Sequence, residues 1–196
     1  NAVLPMVKIK GVNDIIQSYI DPSQDIKPTR LYAKKMDVEN YNLSELNKLP
    51  GKSKVYYHED IFLPKKKGVE VEDKKFIEDI FDASIPRNIP LKPGAQVMLT
   101  WNLDVESGLC NGSRGIVLEC NTKSVDVLFR NGEVHTIEYN RYEFEDDTVI
   151  CFRRQIPLIL SWATTIHKSQ GSTLDCCIMD LGRNIFCPAL VYVCIS

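Results

Sequence analysis

The sequence lacks the features of membrane and secreted proteins. Its 196 residues include no apolar run near the ~20 residues that a membrane-spanning helix needs. No basic segment leads into an apolar core at the N-terminus, so no secretory signal is predicted. The seven cysteines include no C-x-x-C pair, and an odd number in a chain of this length argues against a disulfide framework or a zinc site. We therefore expect a soluble, intracellular protein with reduced thiols, no metal site and no membrane contact.

A large excess of basic residues is also missing. The chain has 24 Lys and Arg against 26 Asp and Glu, which gives a net charge of −2. Proteins that bind nucleic acid by charge alone carry a basic face, so nucleic-acid binding here would need a specific site. The run Lys65-Lys66-Lys67 lies beside Pro64 and Gly68 and is interpreted as a solvated loop.

A complete phosphate-binding loop is absent as well. Gly51-Lys52-Ser53 matches the end of that motif, but Leu46 replaces the glycine that should precede Gly51 by five positions. Pro50 also occupies the position directly before the Gly-Lys pair. We interpret the segment as a turn, and the sequence contains no acidic metal-binding motif of a nucleotide hydrolase.

Up to residue 90 the pattern alternates between helix and strand. The spacing of apolar residues predicts helices over residues 11–20 and 38–49, and a third helix that begins at Asp73. Short strands are predicted over residues 30–33 and 55–61.

From Leu91 to about residue 152 the pattern changes to short strands and tight turns. Asn131-Gly132 is typical of a two-residue β-hairpin loop. A slip in the spacing of the second arm suggests a bulge there. These many short strands predict a small β-barrel. The apolar residues predicted to alternate along the two arms are Val125, Val127 and Phe129, then Val134, Ile137 and Tyr139.

After the predicted barrel the chain returns to an α/β pattern. Residues 156–163 (IPLILSWA) predict one buried strand, the polar run 164–173 (TTIHKSQGST) begins a helix, and residues 176–181 predict another strand. The plainest architecture is an α/β domain interrupted by a small β-barrel.

The polar run 164–173 stands where a strand gives way to a helix, a position suited to binding phosphate. Backbone N–H groups point outward there, and the helix N-terminus carries partial positive charge. The density of donors favours phosphate over the alternative, a capped helix with a polar surface. The candidate phosphate contacts are Thr164, Thr165 and Ser169 as neutral donors and Lys168 as the charged group, and Gln170, which precedes Gly171, is placed to reach a second anionic group.

Residues 153–175 (RRQIPLILSWATTIHKSQGSTLD) resemble the signature of the PIF-type DNA helicases, superfamily 1 motors related to the RecD type. Three further stretches agree in order and spacing. Residues 30–46 resemble the fourth motif region, residues 91–117 the start of the small inserted domain, and residues 191–196 the start of the sixth motif. The resemblance covers roughly residues 27–196, and the long TIHKSQG match is far more specific than a lone glycine motif.

The resemblance implies a second RecA-like motor domain, of the P-loop NTPase type, with an SH3-like β-barrel as its insertion. It assigns residues 1–26 to a remnant of the preceding motor region and a linker. Residues 27–94 and 156–196 are the two parts of the RecA-like domain, and residues 95–155 are the barrel.

The resemblance also implies roles for single residues and an activity. Gln170 and Gly171 are expected near the terminal phosphate of the nucleotide. The activity implied is ATP-dependent 5′-to-3′ DNA unwinding, with ATP and Mg²⁺ as cofactors of the intact enzyme. The residues expected to contact single-stranded DNA are Asn42, Thr164, Thr165, His167, Lys168 and Ser169.

Parts of the family pattern are missing from this chain. It has neither the phosphate-binding loop nor the acidic motif, and the family places its γ-phosphate arginine beyond Ser196. We therefore expect no complete catalytic set, no cofactor held by this chain alone, no ATP hydrolysis by it, and a missing partner, the first RecA-like domain. The alternative is a non-catalytic module that binds single strands or a partner through its barrel.

Overall fold

The computed structural model of the protein describes residues 26–65, 74–145, 147, 149–169 and 177–179. The helix predicted over residues 11–20 lies outside this part of the chain. In chain order the described elements are β1 (Thr29–Tyr32), α1 (Lys35–Lys48), β2 (Lys54–Tyr57), β3 (Glu59–Pro64), α2 (Lys74–Ser84), β4 (Asn88–Leu91), β5 (Gln96–Leu99), β6 (Arg114–Cys120), β7 (Ser124–Phe129), β8 (Val134–Glu138), β9 (Asn140–Glu145), β10 (Val149–Gln155), β11 (Leu158–Leu160), β12 (Ala163–Thr165), α3 (Ile166–Ser169) and β13 (Cys177–Met179).

A parallel sheet in the order β12-β1-β13 carries the polar run, and α1 packs beside it. In β1 the buried residues Thr29 and Leu31 alternate with half-buried neighbours, as expected for a strand that faces a core on one side. Tyr32 at the end of β1 is opposite Thr165 at the end of β12. The predicted strand and the helix that follows it are confirmed. The buried residues of α1 are Asn42, Glu45 and Leu46.

The main apolar core belongs to an antiparallel sheet in the order β11-β5-β6-β7-β8. Along β7 buried and half-buried residues alternate strictly, which confirms the predicted period of two. The backbone of Gly115 in β6 approaches β7 closely. A Cβ atom there would lie 2.5 Å from Val127 Cγ1 and 2.7 Å from Leu128 O, so this position requires glycine.

The β7–β8 hairpin is confirmed, but its loop differs from the prediction. A two-residue type I′ loop needs positive φ at both Asn131 and Gly132, whereas only Gly132 has it here, with φ 85°. Gly132 N donates to Phe129 O at 3.0 Å, and Phe129 N donates to Glu133 O at 2.9 Å. The connection is therefore a three-residue loop that ends in a left-handed glycine.

This loop sets which residues of β8 face the core. Ile137 is buried and His135 half-buried, whereas Val134 is exposed. The prediction that Val134 points inward, and that a bulge follows it, is wrong. The irregularity in this sheet lies instead in β6, between Val117 and Glu119.

A second antiparallel sheet, β3-β10-β9, packs against α2. Ile77 and Phe81 of α2 are buried in a smaller apolar cluster with Tyr142 and Cys151. The single strand predicted over residues 55–61 is two strands, because β2 pairs with β4 while β3 pairs with β10.

Residues 156–163 do not form the single strand that their apolar character predicted. β11 pairs antiparallel with β5, whereas β12 pairs parallel with β1. Between them, Ser161 N donates to Gln96 O, and Trp162 O accepts from Arg30 N, both at 2.9 Å. The two strands enter different sheets, and all their residues are buried or half-buried, so the apolar run continues across the boundary.

The described residues form an α/β structure in which sheets predominate. Their strand ladders do not close into the predicted barrel, since the five-stranded sheet ends at β8 and β11. Two strands outside residues 95–155 join strands within that range: β3 pairs with β10, and β11 pairs with β5. The predicted insertion and its flanking chain therefore share two strand ladders.

Candidate nucleic-acid interface

The candidate interface lies where β1 and β12 end side by side. Both strands are parallel, so their carboxyl ends meet at one edge of the sheet, where open α/β sheets bind their ligands. Thr164 is buried, and Thr165 at the end of β12 is half-buried. Both threonines belong to the strand, whereas the sequence suggested that they follow it.

The short helix α3 continues directly from β12. His167 is exposed to solvent, and Ser169 Oγ donates to Ile166 O at 2.8 Å, which turns that hydroxyl toward its own helix. The Lys168 side chain, Gln170 and Gly171 lie outside the part of the chain that the structure describes. Their expected contacts stay predictions.

Asn42 of α1 holds the backbone of β12 with both ends of its amide. Its Nδ2 donates to Ala163 O at 3.0 Å and to Leu160 O at 3.3 Å, and its Oδ1 accepts from Ala163 N at 2.8 Å. Asn42 is only 7% exposed. We call these three bonds the amide clamp. The amide already has three protein partners, so Asn42 positions β12, and its expected contact with DNA stays a prediction.

Two further polar side chains, which the sequence did not single out, hold the start of β1. Gln96 accepts from Lys27 N at 2.9 Å and donates to Lys27 O and Ser161 O, each at 3.1 Å. Thr29 Oγ1 donates to Ser161 O at 3.3 Å. Gln96 is the buried polar residue in an otherwise apolar strand, and that isolated amide was the signal available in the sequence.

A cavity of about 390 Å³ opens between α1, β4 and β12. Three of the predicted DNA contacts, Asn42, Thr164 and Thr165, line it, whereas His167 and Ser169 do not. Further wall residues are Pro86, Asn88, Ile89, Pro90, Ile159 and Leu160. The structure thus brings part of the predicted set to one concave surface.

An ion-pair network centred on buried Arg153 joins β3, β10 and α2, and it includes Arg87, which stands between the cavity-lining residues Pro86 and Asn88. Arg153 is fully buried, and its Nε and Nη2 donate to the Asp60 carboxylate at 2.7 and 2.6 Å, while its Nη1 donates to Asp82 Oδ1 at 2.6 Å. Arg87 Nε donates to the other Asp82 oxygen at 2.7 Å. Burial opposes the charged form of Asp82, but the hydrogen bonds from Arg153 and Arg87 outweigh it and lower the pKa of this carboxyl. We call these four residues the arginine corner.

The described cysteines behave as small buried or half-buried side chains. Cys110, Cys120 and Cys151 are free thiols, and burial raises the pKa of Cys151 to about 11. Within the described residues no three His, Cys, Asp or Glu side chains come together as metal ligands. Nor does any helix described here combine the length and apolar character that a membrane crossing requires.

The chain is similar in sequence to known DNA helicases. A family model described as the 2B domain of DNA helicase Pif1 matches residues 78–120, from within α2 to the end of β6. The ATP-dependent DNA helicase PIF1 of Danio rerio is 40% identical over 177 residues, which cover 87% of this chain and 26% of that protein. The chain thus spans about a quarter of the length of the vertebrate relatives it matches.

Two solved structures have a fold similar to that of this chain. The Pif1 helicase from Candida albicans is 26% identical with a TM-score of 0.70, over 93% of this chain and 50% of that chain. The Pif1 helicase from Bacteroides in complex with ADP-AlF3 and ssDNA is 28% identical with a TM-score of 0.59, over 88% of this chain and 38% of that chain.

Proposed function

We propose that this chain, a relative of the Pif1-type DNA helicases over most of its length, is the C-terminal motor portion of an ATP-dependent DNA helicase that couples nucleotide state to movement along single-stranded DNA. The observation that carries the proposal is the placement of Thr164 and Thr165. They lie at the carboxyl edge of a parallel sheet, beside a cavity, on a backbone held by the amide clamp.

In this proposal the β12–α3 segment grips phosphates of the strand. Thr165 offers a neutral hydroxyl, exposed His167 adds a ring that can stack or donate, and Lys168 supplies the only fixed positive charge of residues 164–173. Gln170 and Gly171 follow directly in the chain and would lie toward the nucleotide. One continuous segment can then transmit a change at the nucleotide to the strand.

The domain division is part of the same proposal. Residues 27–94 and 156–196 form one RecA-like domain, with an SH3-like insertion over residues 95–155 and a remnant of the preceding motor region before residue 27. The parallel pairing of β1 with β12 and β13 supports this division, because it joins chain segments from both sides of the insertion. The 2B-domain match over residues 78–120 begins in α2 and covers residues 95–120, the first part of this insertion.

ATP and Mg²⁺ would be held by the intact enzyme, between this chain and a first RecA-like domain. The residues of this chain do not fit a complete nucleotide site, because it has no phosphate-binding loop and its described part gathers no metal-ligand set. We therefore expect no DNA-stimulated ATP turnover from residues 1–196. Phosphate release with saturating single-stranded DNA measures this, and turnover abolished by Gln170→Ala would contradict it.

A second candidate function is a non-catalytic module that binds a partner or a single strand through residues 95–155, which we call the β-rich region. The loop between β5 and β6 favours it, since Trp101, Leu103 and Val105 are all exposed there. Exposed apolar side chains grouped on one loop are a common feature of protein contact sites.

A salt titration of oligonucleotide binding tests the main proposal. The logarithm of the affinity should fall with the logarithm of salt concentration, with a slope of about −0.7 per neutralised phosphate. Lys168→Ala should make the slope shallower by at most about one such unit. Thr165→Val should weaken binding with little change in slope, because a hydroxyl displaces few counterions. If both folded variants bind as the wild type does at every salt concentration, the segment is a capped helix and not a strand grip.

A further inference from the structure

We propose that the cavity between α1, β4 and β12 is a binding site for one nucleobase of a single strand. The inference rests on the proposed function, because it takes Thr164 and Thr165 as phosphate contacts beside the cavity. The proposed function involves contacts with phosphates, and this inference adds a contact with a base.

The size of the cavity suits a single flat ring system. Its volume of about 390 Å³ lies at the lower end of the roughly 300–1,000 Å³ that small-molecule sites span. A bound helix, about 10 Å wide with its side chains, needs a longer groove than this. One unstacked base therefore fits the space better than a folded peptide segment.

The walls of the cavity are apolar yet reachable from solvent. Val38 of α1, Pro86, Pro90 and Ile159 all line it, and all are half-buried. The faces of a nucleobase are apolar, and they gain dispersion contacts against packed CH groups. Every base presents such a face, so this kind of binding tolerates different sequences.

The rim of the cavity is polar, which suits the edge of a base. Asn88 is exposed, and its side chain makes no hydrogen bond within the described residues, so its amide can donate and accept at a base edge. Lys35, also exposed, forms a 3.8 Å ion pair with Glu39 at the same rim. The local charges nearly cancel there, which favours an uncharged base over a second phosphate.

The position of the cavity favours a nucleobase over an apolar peptide. It shares Thr164 and Thr165 with the surface proposed to hold phosphates, so one nucleotide can present its phosphate to β12 and its base to the cavity. The similar Bacteroides structure, 28% identical with a TM-score of 0.59, is a complex with ssDNA.

The test compares two oligonucleotides that carry the same number of phosphates. One is an oligothymidylate, and the other has abasic sites in place of its central bases. Fluorescence anisotropy with the chain of residues 1–196 at low salt measures both affinities. We expect the abasic oligomer to bind about fivefold more weakly, the low end for a base contact, because none of the described residues that line the cavity is aromatic. Both oligomers should show the same salt slope.

A cavity-filling variant tests whether the preference for intact bases arises in this cavity. Val38→Trp should reduce oligothymidylate binding to the level of the abasic oligomer and leave abasic binding unchanged. Asn47→Trp, on an exposed position of the same helix that does not line the cavity, is the matched control and should bind as wild type. Leu43→Trp at the mouth of the cavity replaces Val38→Trp if thermal unfolding shows that variant to be unfolded.

The outcomes separate this inference from the proposed function. Equal, salt-dependent binding of both oligomers overturns the base site and leaves the phosphate grip standing. A preference for bases that survives both cavity-filling variants places the base elsewhere and overturns the inference. No binding of either oligomer overturns the proposed function together with the base site.

Discussion

Two regions of the molecule are held together by buried polar side chains of different kinds. In one region the arginine corner joins β10 to β3 and α2 with charged groups, and Arg153 makes bonds of 2.6 to 2.7 Å to two carboxylates. At the candidate interface the amide clamp joins α1 to β12 with a neutral group, Asn42, at 2.8 to 3.3 Å.

The difference matters for a surface proposed to bind phosphate. A buried carboxylate beside β12 would repel an anionic strand, whereas an amide fixes the backbone and adds no net charge. In the arginine corner, two arginines and two carboxylates compensate each other's charge. The side chain that holds the backbone of β12 is thus neutral, whereas the side chain that joins β10 to β3 and α2 is charged.

The largest predicted effect separates two adjacent arginines. Arg153→Met removes the bidentate arginine partner of Asp60 and one of the two arginine partners of Asp82, and it should lower the free energy of unfolding by roughly 3–5 kcal/mol. Arg154→Met is the control, because the Arg154 side chain is 50% exposed and its ion pair with Glu59 should contribute at most about 1 kcal/mol. Urea unfolding measures both. Equal effects of the two substitutions would show that burial does not distinguish them.

A smaller loss is predicted for the amide clamp, with a second consequence at the interface. Asn42→Ala leaves the Ala163 backbone groups without this partner and should cost about 1–3 kcal/mol of stability. Oligonucleotide binding should weaken as well, because β12 is no longer fixed. Asn47→Ala, on an exposed position of the same helix, should change neither property. If the Asn42→Ala variant loses stability but binds the oligonucleotide as the wild type does, the amide clamp contributes to folding and not to the interface.

The smallest effect is a pH dependence of the arginine corner. The pKa of Asp82 is lowered in the folded protein, so the unfolded state binds more protons in the acidic range. The stabilisation that results from the lowered pKa of Asp82 is complete at pH values above the ordinary carboxyl pKa of about 4. It is lost as the pH falls through the pKa that Asp82 has in the folded protein. The stability difference between wild type and Arg153→Met should therefore narrow from pH 7 to pH 3. A difference that stays constant would assign the cost of the substitution to lost packing.

Local patterns predicted much of this fold from the sequence. The strand near Leu31, the helix with Asn42 and Leu46 on its buried face, and the β7–β8 hairpin each depend on neighbouring residues and were recognised. The turn at Gly132 was placed correctly, but its class depends on a hydrogen bond across the loop, and the position of Val134 changed with it.

What depends on distant contacts was not predicted. Residues 156–163 are evenly apolar, so nothing local shows that β11 and β12 enter different sheets. Arg153 and Arg154 are adjacent residues of the same type. Arg153 is the buried one, and it pairs with Asp60 and Asp82, which are distant in the sequence. The polar run was found from its composition, whereas the role of Asn42 as a clamp needed the location of Ala163.

Amide hydrogen exchange with and without an oligothymidylate tests the central claim most directly, because it reports on both regions at once. At saturating oligonucleotide we predict slower exchange in β12, α3 and the first turns of α1, with little change in β7 and β8. Protection confined to β7, β8 or the β5–β6 loop would contradict the claim and favour binding through the β-rich region. No change in any of these segments would show that the chain does not grip single-stranded DNA.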